Sequence, residues 1–134
     1  MQVSIFSRRI IAAGAAFALF AVVAGAFAAH GLKAVLDAQQ LALFETAARY
    51  QMYHALALLI VGAISTNPHF SRPILQLAAL AFILGIVLFS GSLYLLALSG
   101  TRWLGAITPL GGIAFLAGWL ATAIAALRPA AGSE

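Results

Sequence analysis

Residues 74–98 read ILQLAALAFILGIVLFSGSLYLLAL, twenty-five residues without a charge, followed by Ser99–Gly100. As a helix at 1.5 Å per residue this stretch is about 37 Å long, more than the roughly 30 Å hydrocarbon core of a bilayer. Arg72–Pro73 stands in front of it, and proline at the first helical turn suits a helix start. Working outward, Gly105–Leu127 is also uncharged and stops at Arg128–Pro129, and Ile10–Ala29 is uncharged behind the pair Arg8–Arg9. Tyr50–Thr66 is shorter, at 17 residues, and carries His54. Asn67–Pro68 and Ser99–Gly100–Thr101–Arg102–Trp103 break the chain between spans, the second with an arginine and a tryptophan suited to a membrane interface. The fold expected is all-α: an integral membrane four-helix bundle with spans over 10–29, 50–66, 74–98 and 105–127.

Composition agrees. Of 134 residues, 64% are hydrophobic and 7% charged, against roughly 45–50% and about 25% in an average soluble domain. A mean hydropathy of +1.08 excludes a soluble enzyme and leaves one small membrane domain. The chain has no cysteine, hence no disulfide, no thiolate metal site and no cysteine nucleophile. Its net charge of +4 comes from scattered side chains with no basic run, so nucleic acid is not an expected partner.

The stretch between spans 1 and 2 differs. It holds Lys33, Asp37, Glu45 and Arg49, four of the ten charges, with Leu36, Leu43, Phe44 and Ala47 on one side of a helical wheel. We read residues 34–49 as an amphipathic interfacial helix running into span 2, with Asp37 and Gln40 blurring the division. The start of the chain also admits a secretory-signal reading, with Ala26–Phe27–Ala28 as the small-residue run. The apolar stretch exceeds the ~7–15 residues of a signal core, and cleavage would remove a glycine/alanine stripe, so span 1 is expected to be retained. Counting Arg8, Arg9, Arg72 and Arg128 against Lys33, Arg49 and Arg102 puts both termini in the cytoplasm of a bacterial inner membrane.

Two sets of residues stand out. Small residues recur at helical spacing in span 1 (Gly14, Ala18, Ala21, Gly25, Ala29), in span 3 (Gly85, Ser92, Ser99) and in span 4 (Gly111, Ala114, Gly118, Thr122). They are the expected helix-packing surfaces, because close backbone approach drives association in lipid. Polar ladders Glu45–Arg49–Tyr53 and Thr46–Tyr50–His54 run at spacings of four along span 2. With His30, Ser90, Tyr94 and Thr108 they form a candidate polar cluster, either a structural knot or a functional site. Two histidines without a recognisable metal spacing make no metal site, and no serine sits in a nucleophile motif. No acidic residue lies inside a span, which argues against a proton-coupled transporter. No cofactor-binding motif is present.

Four segments carry a resemblance: Gly25-Ala-Phe-Ala-Ala-His-Gly-Leu32, Phe44-Glu-Thr-Ala-Ala-Arg-Tyr-Gln-Met-Tyr-His-Ala-Leu56, Phe89-Ser-Gly-Ser-Leu-Tyr94 and Arg102-Trp-Leu-Gly-Ala-Ile-Thr-Pro-Leu-Gly-Gly112. In this order they resemble the small bacterial inner-membrane proteins grouped as domain of unknown function 423, with Ala28 standing where that family's pattern has glycine. The resemblance implies a four-helix membrane protein with its first span retained, and supplies no catalytic residues. Two functional readings follow. One is a non-enzymatic packing or accessory protein that associates with itself or with a larger membrane complex. The other is a small oligomeric transporter, channel or lipid-binding protein that uses a polar cluster around Arg49 and His54, with membrane lipid as its surroundings and partner.

Overall fold

The computed structural model describes residues 4–128 and is entirely helical. Helix α1 (Ile5–His30) starts at Ser4, whose hydroxyl accepts the Ser7 N–H. A short 3-10 turn, Leu32–Ala34, leads to α2 (Ala38–Ile64). Helices α3 (Arg72–Gly85) and α4 (Gly91–Ser99) are two parts of one rod joined by a π turn, Ile86–Ser90, in which the Gly91 N–H reaches the Ile86 carbonyl. Gly100, at φ +69°, ends that rod in the left-handed conformation glycine adopts without strain. After a 3-10 turn, Arg102–Ala106, α5 (Thr108–Leu127) returns. Three stretches are long and apolar enough to cross a membrane: 5–34, 72–99 and 102–127.

The structure does not set an interfacial helix 34–49 apart from span 2. From Ala38 to Ile64 the backbone is one uninterrupted α-helix of 27 residues, about 40 Å long. Its start is set by Asp37 and Gln40, the two residues that blurred the amphipathic pattern. Asp37 Oδ1 accepts the Gln40 N–H at 2.8 Å and Gln40 Oε1 accepts the Asp37 N–H at 3.1 Å, a capping box that starts the helix there.

Helix α2 is the central element, packed along α1 on one side and against the α3–α4 rod on another. Helix α1 meets the bundle along a seam whose four buried positions are Ser7, Gly14, Ala21 and Ala28, flanked by Phe6, Ile10 and Phe17. The spacing of seven is that of a left-handed antiparallel pair. The register is set at one end by Ser7 and Ser65, whose hydroxyls lie 2.7 Å apart. In mid-helix Gly14 lies against Ala55. Helix α5 packs on the rod where glycines let backbones meet. A Cβ on Gly118 would fall 2.7 Å from the Phe82 ring, one on Gly111 would fall 2.7 Å from the Phe89 Cα, and one on Gly85 would enter the Phe115 ring. The main apolar core lies among α2, α3 and α5 around Leu58, Leu75 and Phe82.

Candidate functional site

The polar residues sort into a closed interior and an open edge. In the interior, Gln51 ties three helices together. Its Nε2–H donates to the Phe17 carbonyl of α1 at 2.9 Å, and its Oε1 accepts the Tyr94 O–H from α4 at 2.9 Å. One turn earlier on α2, the Ala47 carbonyl accepts the Ser90 hydroxyl at 2.8 Å. Ser92 and Thr108 join the rod to α5, hydroxyl to hydroxyl, at 2.7 Å. The π turn supplies Ser90 to α2, while Ser92 just beyond it faces α5.

His54 sits on another side of α2 and is 5% exposed. Its ring stacks on Phe115, with centroids 3.4 Å apart and planes at 5°. Nε2 accepts the Trp119 indole N–H at 3.2 Å, and Nδ1 lies 2.7 Å from the Tyr50 carbonyl. An indole N–H only donates and a carbonyl only accepts. The hydrogen bonds therefore define a neutral imidazole with its proton on Nδ1. Both nitrogens are engaged, so His54 in this arrangement is neither a free base nor an open metal ligand. Among the described residues no buried side-chain nitrogen or oxygen lacks a partner, and no group of three or more His, Asp or Glu is placed to hold a metal ion.

The edge is different. Glu45, Arg49 and Tyr53 are exposed along α2. With Ala21, Gly25, Ala48 and Met52 they line a cleft of about 510 Å³ between α1 and α2. No ion pair joins Glu45 to Arg49 among the described residues. Tyr53 also borders a second cleft, of about 430 Å³, walled by Tyr50, Phe115 and Trp119 with His54 at its side. Because Gln51 reaches Phe17 in the antiparallel α1–α2 pair, Arg49 lies level with Phe20. That position is the middle of the uncharged run 10–29.

The candidate cluster is thus split. Ser90, Tyr94 and Thr108 enter the bonded interior and His54 its aromatic flank, with Tyr50 half in and half out. Glu45, Arg49 and Tyr53 face outward. His30, at the end of α1, is exposed and bonds to none of them. Of the packing glycines, Gly14, Gly85, Gly111 and Gly118 meet neighbouring helices, whereas a Cβ on Gly25 would meet nothing within 4 Å. Sequence reasoning gave no role to Gln51, Trp119 or Gly62, yet a Cβ on Gly62 would fall 2.6 Å from Ile11. An amide inside an apolar span is itself a signal, since a polar group there must find a partner.

A family model described as protein of unknown function (DUF423) matches residues 24–112. The chain belongs to this family. The matched DUF423 region takes in Gln51, the π turn and both polar ladders. A UPF0382 membrane protein of Staphylococcus epidermidis is 48% identical over 115 residues, which is 86% of this chain and 92% of the relative. The UPF0382 membrane protein YwdK of Bacillus subtilis is 44% identical over 115 residues, 86% of this chain and 93% of the relative. A UPF0382 membrane protein of Haemophilus influenzae is 41% identical over 110 residues, 81% and 86% of the two chains. No solved structure gives a significant match. With relatives named as membrane proteins and three stretches apolar enough to cross a bilayer, this DUF423 chain is a membrane protein.

Proposed function

We propose that the protein is a non-enzymatic membrane subunit that works by lateral association, presenting the Glu45–Arg49–Tyr53 edge of α2 to another membrane protein. One observation carries this reading: Arg49 is exposed, without an ion-pair partner among the described residues, at the level of Phe20 in the middle of α1's uncharged run. An arginine at the centre of a membrane helix costs about 2.5–3.5 kcal/mol on insertion scales. A covering protein surface that supplies a carboxylate offsets that cost. The interior argues in the same direction, because its hydroxyls, amide and imidazole all find their partners within the bundle, as in a rigid scaffold.

The charge count supports an orientation with the arginine-rich end in the cytoplasm of a bacterial inner membrane. Arg49 belongs to mid-helix, so Arg8, Arg9, Arg72 and Arg128 at one end are weighed against Lys33 and Arg102 at the other. Helix α1 begins and α5 ends at that arginine-rich end, so this reading has both termini in the cytoplasm.

A second reading draws on the 510 Å³ volume of the cleft: it serves as a lipid or small-anion site with Arg49 as its cation. Native mass spectrometry of the protein released gently from its own membrane separates the two. Association predicts a stoichiometric protein complex. A monomer carrying a retained lipid supports the second reading, and a bare monomer refutes both.

A further inference from the structure

We infer that the Glu45–Arg49 edge is completed by a second copy of this chain, packed parallel about a two-fold axis along the membrane normal, with Arg49 of each copy paired to Glu45 of the partner subunit. The inference rests on the association reading above and names its partner.

Three features carry it. First, the edge is self-complementary: one acid and one base stand a turn apart on the same face of α2, both exposed. A two-fold interface brings the same patch from both subunits together. Copies inserted in one orientation lie parallel, so Glu45 of the partner subunit stands about 6 Å toward the α2 N-terminus from Arg49. Helical side chains lean toward the N-terminus, so the guanidinium reaches in that direction, as across the flanks of a parallel coiled coil. Two such pairs form, and all four charges leave the lipid.

Second, Gly25 lies on this cleft with nothing within 4 Å of its Cβ position, whereas Gly14, Gly85, Gly111 and Gly118 are all filled from within the chain. Beside Ala21 it leaves room for a helix from outside. Third, the acid disfavours the other occupant. An anionic headgroup drawn to Arg49 would sit beside the Glu45 carboxylate, level with the middle of α1, far from where phosphates reside. The edge is therefore incomplete within one chain.

The chain has no cysteine, so single-cysteine cross-linking of the full-length protein in native membranes is unambiguous. Met52→Cys places a thiol on the cleft, and Val87→Cys places one on an exposed site of the π turn. We expect a cross-linked dimer from position 52 and none from position 87. The decisive step co-expresses two differently tagged Met52→Cys chains, one with Glu45→Gln and the other with Arg49→Gln. Neither variant can form the pair with itself, while the mixed dimer keeps one bridge. Mixed dimers should exceed either homotypic dimer by about tenfold, the effect of one desolvated charge pair; pairing within a chain cannot produce that excess. Absence of a cross-link from position 52, or a mixed yield no more than about twice either homotypic one (the share random pairing of equally expressed chains gives), overturns the inference. If native spectra then show a foreign subunit, association stands and only the second copy falls. If they show a monomer, with or without lipid, both fall.

Discussion

Replacing Gln51 with leucine tests whether the interior network holds the bundle together. The substitution keeps the side chain's approximate volume and removes two interhelical hydrogen bonds, each 2.9 Å long, to the Phe17 carbonyl and from the Tyr94 hydroxyl. Hydrogen bonds between membrane helices average about 0.6 kcal/mol and reach about 1.7, so Gln51→Leu should cost roughly 1–3 kcal/mol. The loss is unequal between partners. The Phe17 carbonyl keeps its place in the α1 ladder, whereas the Tyr94 hydroxyl, packed beside Phe44, loses its acceptor. Tyr94→Phe alone should cost about 0.5–1.5 kcal/mol. The double variant should then cost less than the two singles together, by about 0.6–1.7 kcal/mol. The assay is reversible unfolding in mixed detergent micelles, followed by fluorescence of the two tryptophans. Additivity within about 0.3–0.5 kcal/mol would show that Gln51 and Tyr94 are not bonded and would refute the network.

Three further outcomes are expected. Gly111→Ala, whose Cβ would meet the Phe89 backbone, should destabilise by about 1–3 kcal/mol, while Gly25→Ala leaves the isolated monomer's stability unchanged or raised by up to about 1 kcal/mol; the same unfolding assay compares them, and equal losses would refute the packing described. Trp119→Phe removes the donor to His54 Nε2 and should cost about 0.6 kcal/mol and at most about 1.7, read as a lowered unfolding midpoint, with no further loss in a His54→Phe background. Arg49→Leu should ease translocon insertion of a segment spanning α2 by about 3–4 kcal/mol, the arginine cost together with the leucine gain; an unchanged inserted fraction in a glycosylation reporter would place Arg49 outside the hydrocarbon.

How much of this architecture is legible in the sequence depends on what each helix buries. Helix α1 from Ile10 on, α5 and the α3–α4 rod from Ile74 on are uncharged runs, so their positions follow from hydropathy. Helix α2 is the central helix and is not among the three stretches apolar enough to cross a membrane. Its buried faces carry Gln51, His54 and a series of alanines against other helices, and its edge carries charge. A reading based on charge therefore divides it near Arg49, although nothing in Ala38–Ile64 breaks a helix. Reading Asp37-Ala-Gln-Gln40 as a capping box would have moved the start of the helix from residue 34 to Ala38, but it is silent on burial further along. The π turn left no such mark. Residues 85–91, GIVLFSG, read as an ordinary apolar stretch bracketed by glycines, and the turn is seen only in the structure, where the Phe89 backbone lies against Gly111.

The ladders on α2 illustrate a sharper limit. Glu45–Arg49–Tyr53 and Thr46–Tyr50–His54 stand at neighbouring angles, and a helical wheel alone assigns them to one cluster. In the structure the boundary between interior and exterior runs through the second ladder, where His54 is buried and Tyr50 is exposed. Ala47, Gln51, His54 and Leu58 are buried, while Glu45, Arg49 and Tyr53 are not. A wheel gives angles relative to the helix itself, but burial depends on where neighbouring helices stand, and for α2 this is decided by α1. The α1 seam of Ser7, Gly14, Ala21 and Ala28 covers one flank of α2, and Gly25, one turn beyond Ala21 on the seam's border, lines the open cleft beside the charged edge. The same small residues that draw α1 close thereby leave Arg49 uncovered. The open edge is thus a consequence of the packing that closes the interior, and the charges on it point to a contact outside the single chain.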